Sequence, residues 1–470
     1  MASVTKKSLR PAFLGYRPFD ELPRGVNFDG HPHPADHVHF LKDLTWHDGD
    51  GVLRLSHNIF DEMLQMVRDA RRLICLDMFL FNELLIFNQP VRSMGRELTD
   101  ALIRQRQQHP ALQIVFITDP CNTLYGSLPS QLQADLVQAG IDVVTTDLDQ
   151  LRDSSPVYSF LWRLLLRPLG NSPRGWLPNP FSDQRVSLRG LLHIPNMKAN
   201  HRKTMVADSE VWGWVGLVST ANPHDASWQN RNVALKFNGP AVLELLQTEM
   251  AVLEMAGVPL PDIPCDRETV VAEPHDRISI HTEGAIRDQV LRLIERAQPG
   301  DRIDFILFYL SERNVVRALI SAAKRGVSIR VVLDPAKDAF GFKKIGIPNR
   351  PVASQIVAAG IDVRWADTHG EQCHSKMALL HFKGRNETAL LLGSANYTRR
   401  NLANFNLETD VLLLASPEDA CLRDASDTFE DIWHNHDGRI YTVDYAMYEE
   451  RSFLRHALYW VMEVTGISTF

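Results

Sequence analysis

The chain repeats itself, and the repeat limits what it can fold into more than any other feature. Val137-Gln-Ala-Gly-Ile-Asp-Val143 returns as Val357-Ala-Ala-Gly-Ile-Asp-Val363, and the apolar run ending in Asp119-Pro120 returns as one ending in Asp334-Pro335. The same order of patterns surrounds both landmarks. In the first half, helical spacing over His57–Arg71 leads to an apolar strand over 73–81. A polar helix near 95–108, a strand from Leu112, a helix near 129–139 and a strand opening at Gly140 follow. In the second half a helix over Ala285–Arg296 leads to a strand over 302–309, a helix near 313–325 and a strand from Ile329. Matched elements in matched order mean an internal duplication. Strands alternating with helices imply parallel sheets covered on both faces.

The spacing divides the chain into an irregular N-terminal arm (1–51), a first lobe (52–258), a Pro-rich linker (259–275), a second lobe (276–435) and an amphipathic C-terminal extension (436–470). The arm holds His31, His33, His37 and His39, read as a polar loop leading into a strand, because the intervening prolines spoil a simple ligand geometry. The net charge of −7 excludes a global basic field for nucleic acid. Five scattered cysteines without a C-x-x-C fit a reducing compartment. Without a signal-peptide pattern or a long apolar run, the expected location is cytoplasmic, peripheral at the inner face of the membrane.

Each half carries a His and a Lys two apart at the head of an apolar run: His201-Arg-Lys203 and His374-Ser-Lys376. On a strand such residues share a face, which sets a nucleophile or proton carrier beside a fixed positive charge. That pairing suits an anionic phosphorus centre. Further on, Ser219-Thr220-Ala-Asn222 and Gly393-Ser394-Ala-Asn396 each place a small hydroxyl two residues before an Asn.

Together these motifs resemble the phospholipase D superfamily, whose signature is His-x-Lys-x4-Asp followed by Gly-Ser-x-Asn, present twice. The tandem arrangement is most similar to bacterial cardiolipin-synthase-type phosphatidyltransferases. The resemblance implies an α/β fold of two duplicated αβα sandwich lobes with pseudo-twofold symmetry and the active site at their interface. It also implies a covalent phosphohistidine, with no metal or other cofactor. By position it assigns catalysis to His201, Lys203, His374 and Lys376. Supporting or substrate-binding roles fall to Asp208, Thr220, Asn222, Ser394, Asn396 and Glu408.

The chain departs from the pattern at three places. His381 replaces the second motif's Asp, Ser219-Thr220 replaces Gly-Ser, and Glu408 takes Ala234 as its counterpart. A carboxylate on Nδ1 fixes an imidazole's tautomer and frees Nε2 to attack. By that argument Glu408 favours His374 as nucleophile; the resemblance favours His201, which is the assignment adopted. Zinc held by Cys373, His374 and His381 is a minor alternative.

The first half alone carries a long insertion, about 145–195, before its His-Lys strand. Between 160 and 205 the basic residues Arg163, Arg167, Arg174, Arg185, Arg189, Lys198, Arg202 and Lys203 face Asp183 alone. With Trp162 and Trp176 interleaved, the insertion is expected to lie on a membrane surface of anionic lipid. The expected function is a phosphatidyltransferase or phospholipase acting on anionic phospholipids. The alternatives are a nuclease of the same family, with nucleic acid disfavoured by the overall acidity, and a non-catalytic lipid-binding protein.

Overall fold

The computed structural model describes residues 22–83, 92–172, 175–179, 182–259, 276–339, 342–343 and 345–465. Most of the expected linker lies outside them. Two large mixed sheets dominate. The first runs, edge to edge, through strands Leu53–His57, Val38–His47, Asn232–Asn238, Gly213–Ser219, Lys203–Ser209, Leu73–Met78, Gln113–Thr118 and Asp142–Thr145. The second repeats this order with Asp276–Thr282, Thr409–Ala415, Glu387–Gly393, Lys376–Phe382, Arg302–Leu307, Ser328–Leu333 and Asp362–Ala366. The central strands Leu73–Met78 and Arg302–Leu307 are wholly or almost wholly buried. Continuous apolar runs are what strands covered on both faces require.

Helices Ile59–Asp69, Met94–Gln108 and Gln131–Gln138 cover the outer face of the first sheet. Helices Glu283–Arg296, Arg313–Lys324 and Asn349–Val357 cover that of the second. The helix Ile59–Asp69 shows why. Its buried residues Ile59, Phe60, Met63, Met66 and Val67 recur at helical spacing. Asp61 and Glu62 in its first turn and Arg68 in its last complement the helix dipole. The inner faces share one core with helices Ala241–Met255 and Ala420–His434, in which Val206, Val218 and Leu235 join Met377, Leu379 and Leu390. The seam between the lobes is therefore an interior. Each fully buried Leu or Val there contributes about 1.5–3 kcal/mol.

Two boundaries differ from expectation. Residues 1–21 of the arm lie outside the described residues, and the rest is not irregular: Val38–His47 is a ten-residue strand in the first sheet, and His33–Ala35 pairs with Asp276–Thr282 in the second. The proline between His33 and Ala35 is tolerated because this short strand lies at a sheet edge. At the other end, Thr442–Asp444 of the C-terminal extension pairs with Asp362–Ala366 and completes the second sheet. The lobes are further joined by Arg202, fully buried, whose guanidinium donates to Glu283 at 2.8 Å.

Candidate active site

Both His-x-Lys segments enter their sheets at the carboxyl ends of the central parallel strands, where open α/β sheets place their chemistry. Lys203 pairs with Met78 and Lys376 with Leu307. The next residues, Phe79 and Phe308, turn out of the ladder and meet His201 and His374, with ring centroids 4.7 and 5.2 Å apart. Each lysine donates to the carbonyl of its own histidine. Each also lies over its phenylalanine, at 5.0 Å for Lys203 and 5.2 Å for Lys376.

The lobes cross at this point. The His201 N–H donates to the Leu407 carbonyl, and the Arg231 N–H to that of Gln372. Each histidine is thereby laid against the other lobe's last inner strand. His201 Nδ1 lies 3.0 Å from Glu408 Oε2, and His374 Nδ1 lies 3.2 Å from Asn232 Oδ1. Behind them, the Ser394 hydroxyl donates to Glu408 and the Thr220 hydroxyl to Asn232. Glu408 thus corresponds to Asn232, and the expected counterpart Ala234 is two residues out of register. The strands settle it, because Thr220 N–H donates to Val233 and Ser394 N–H to Thr409.

The corrected register also explains the Ser219 departure. Ser219 faces Ala234, while Gly393 faces Asp410. The Ser219 hydroxyl accepts the Ala221 N–H at 2.9 Å; on the other side the Asp410 carboxylate accepts the Ala395 N–H at 3.1 Å. A Cβ on Gly393 would meet Asp410 and the Thr409 carbonyl. Glycine is needed where the acceptor comes from across the strand, and serine where it does not.

Not every expected site residue is at the centre. Asn222 and Asn396 are buried beside it; the Asn222 side-chain oxygen accepts the Leu80 N–H, and that of Asn396 has no hydrogen-bond partner among the described residues. Asp208 lies at the far end of its strand and accepts the N–H groups of Arg71, Arg72 and Leu73. It ties a turn and touches no catalytic group. His381, likewise distant, sits against Arg302 and Asp304, so its replacement of Asp leaves the centre intact and it shares no ligand site with Cys373 and His374. Two residues noted only as repeat landmarks matter more. Asp119 accepts the Asn200 N–H and Asp334 the Cys373 N–H, each fixing the residue before a histidine.

Burial pushes His201 down to about 4, and the opposing Glu408 and reinforcing Lys203 do not reverse this. Burial, with Lys376 and Lys203, holds His374 well below its ordinary range. Burial lowers Lys203 to about 7 and Lys376 well below its ordinary value. Glu408 stays below the usual carboxylate range: burial raises it, but His201 and Lys203 outweigh that. An ionised carboxylate only accepts, so the neutral His201 carries its proton on Nδ1 and directs the Nε2 lone pair outward.

The insertion divides its residues sharply. Trp162 is buried, contrary to a place on a lipid surface, and Arg163 and Lys198 both pair with Asp153. Arg167 pairs with Asp149. Much of the expected basic field is spent internally. The helix Pro156–Leu165 instead turns its apolar stripe outward: Val157, Phe160, Leu161, Leu164 and Leu165 are exposed, as are Leu169 and Trp176 beyond it. Among the described residues no helix is long and apolar enough to cross a membrane.

Comparison with known proteins agrees with this architecture. The family described as cardiolipin synthase, phospholipase-D-like domain, matches residues 290–433. No curated protein matches the chain. Among solved structures, phosphatidylserine synthase of Haemophilus influenzae Rd KW20 superposes with a TM-score of 0.54 at 11% identity, covering 92% of this chain and 94% of that one. Polyphosphate kinase of Porphyromonas gingivalis gives 0.47 at 14% identity, over 92% and 53% of the two chains. The phospholipase D family member Nuc of Salmonella typhimurium gives 0.27 at 21%, over 35% and 97%. Residues 290–433 are thus similar to the phospholipase-D-like domain of cardiolipin synthase, and the chain as a whole shares the fold of phosphatidylserine synthase.

Proposed function

We propose that the protein is a phosphatidyltransferase or phospholipase that cleaves the phosphodiester of anionic phospholipids through a phosphohistidine on His201. The carrying observation is the unequal support of the two imidazoles, a carboxylate on His201 and an amide on His374. Glu408 stabilises the positive charge that His201 gains when its Nε2 bonds phosphorus. In the first step the N–P bond forms, the P–O bond to the leaving alcohol breaks, and protonated His374 gives its proton to the departing oxygen. In the second, His374 takes a proton from water or an incoming alcohol, whose oxygen bonds phosphorus as the N–P bond breaks. Lys203, Lys376, Asn222 and Asn396 supply donors to the non-bridging oxygens. The anion supplies the field that restores to His374 the proton affinity removed by burial.

Lipid is favoured over nucleic acid by the outward apolar stripe of Pro156–Leu165, and by the internal pairing of Arg163 and Lys198. Purified protein incubated with phosphatidylglycerol vesicles and with single-stranded DNA tests the reading. Lipid products, altered by added glycerol and abolished in both His201→Ala and His374→Ala, are expected. Cleaved DNA with untouched lipid would overturn it.

A further inference from the structure

We propose that a divalent transition metal of the zinc class binds at the seam between the lobes, held by His47, Asp367 and His369. One ligand atom from each lies within 4.8 Å of the other two. Asp367 Oδ2 is 3.0 Å from His369 Nε2 and 4.0 Å from His47 Nδ1. Zinc bonds of about 2.0–2.1 Å in a tetrahedron set ligand atoms about 3.3–3.4 Å apart, between these two values. The two imidazoles meet edge to face, with centroids 4.1 Å apart. Two histidines and a carboxylate are a borderline-soft set that suits zinc better than calcium or magnesium.

An independent observation points to a missing partner. His47 Nδ1 is buried and makes no hydrogen bond among the described residues. Buried polar atoms normally have one. Next to this group, Glu371 is almost wholly buried; its Oε2 accepts the His369 N–H at 3.0 Å and its Oε1 has no hydrogen-bond partner among the described residues. The Arg231 guanidinium stands 3.8 Å from that oxygen. Two carboxylates against one guanidinium leave the neighbourhood net negative, which favours a dication. His369 is half exposed, so the fourth position opens to solvent.

The frame is fixed by main-chain contacts. His47 exchanges both backbone hydrogen bonds with Ile440, and the Asp367 N–H donates to the Tyr441 carbonyl. The ligands come from both lobes: His47 ends a strand of the first sheet, and Asp367 and His369 lie on the loop leading to His374. A bound ion would tie that loop to the opposite lobe. It takes no part in phosphoryl transfer.

Full-length protein, stripped with a chelator and dialysed, is titrated with Zn²⁺ alone and separately with Co²⁺. One equivalent of zinc, a higher Tm and the visible bands of tetrahedral cobalt are expected. His369→Ala, at a half-exposed side chain, should fold and weaken binding at least about 100-fold, since losing even an outer partner of a ligand costs 10–100-fold. His47→Ala should do the same. His436→Ala, in the surface pair that His434 and His436 form by stacking, should bind as the unaltered protein does. No uptake by the unaltered protein, or uptake unchanged in both ligand variants, would overturn the site, as would equal loss in His436→Ala.

Discussion

His201 and His374 share a lysine neighbour, an aromatic wall and a buried setting, and differ chiefly in what holds Nδ1. Glu408→Gln keeps the shape and removes the charge. It should lower kcat by about 10²–10⁴-fold with little change in KM, because the proposed phosphohistidine on His201 would lose its counter-charge. Asn232→Ala should cost less than Glu408→Gln, and rapid-quench measurement of the phosphoenzyme distinguishes them. Equal losses would remove the assignment of His201. The depressed proton affinities of His374, Lys203 and Lys376 make a second prediction. A bound phosphate-like anion raises all three, so binding near pH 7 takes up protons and weakens as the pH rises. Calorimetry in two buffers of different ionisation enthalpy reads that uptake, and it should be smaller in Lys203→Met/Lys376→Met, where only His374 of the three remains. For stability the sign is set by His201, lowered from 6.5 to about 4. Between those values the unfolded chain binds a proton that the folded chain does not, so this contribution is lost as the pH falls through the interval. The lysines and histidines were legible in the sequence, but Glu408's partner was not. Asn406-Leu-Glu408 resembles Asn232-Val-Ala234 letter by letter, whereas the contact is made across the seam and in a different register.

At the scale of elements, the duplicated strand-turn segments after the histidines hold the same conformation by exchanged means. Ser219 opposite Ala234 and Gly393 opposite Asp410 each satisfy one buried N–H. Ser219→Gly should therefore destabilise the protein by about 1–3 kcal/mol, the cost of an unsatisfied buried donor, measured as a lower midpoint in denaturant. Adding Ala234→Asp should recover a large part of that loss, and an additive double variant would refute the exchange. The alternation of strands and helices was readable because each element is long and periodic. The short strand His33–Ala35 of the arm was not, since an edge strand with proline has no period to show, and its partner lies in a sheet formed by distant sequence. Asp208 misled for a related reason: position in a motif says nothing of which end of a strand faces the chemistry.

For the whole molecule, the question is what covers two apolar helices. Phe453–Thr465 at the C-terminus exposes Phe453, Leu454, Leu458 and Val461, much as Pro156–Leu165 exposes its stripe. Contacts join the two regions: Arg152 lies 4.8 Å over the Phe405 ring, Arg399 lies 5.6 Å over the same ring, and Arg399 donates to the Glu463 carbonyl. The segment before the first helix is thus linked to the second helix through the connection that follows Asn396. Exposed patches of this extent mark an interaction surface. A second copy of a chain with net charge −7 meets like-charge repulsion, whereas a lipid interface accepts leucine, phenylalanine and tryptophan beside arginine. Leu161→Ser/Leu164→Ser/Leu165→Ser alters only outward residues, so the fold and the hydrolysis of a short-chain soluble phosphodiester should survive. Each exposed leucine contributes up to about 1.5–3 kcal/mol when fully buried in an apolar phase. Even partial insertion of three makes a loss of more than about 100-fold in partitioning to phosphatidylglycerol vesicles the expected result. Phe453→Ser/Leu454→Ser should add to it if both helices rest on the same surface. Co-sedimentation unchanged in all five positions would mean that the apolar stripes serve something other than lipid, and would leave the substrate to be sought among soluble phosphodiesters.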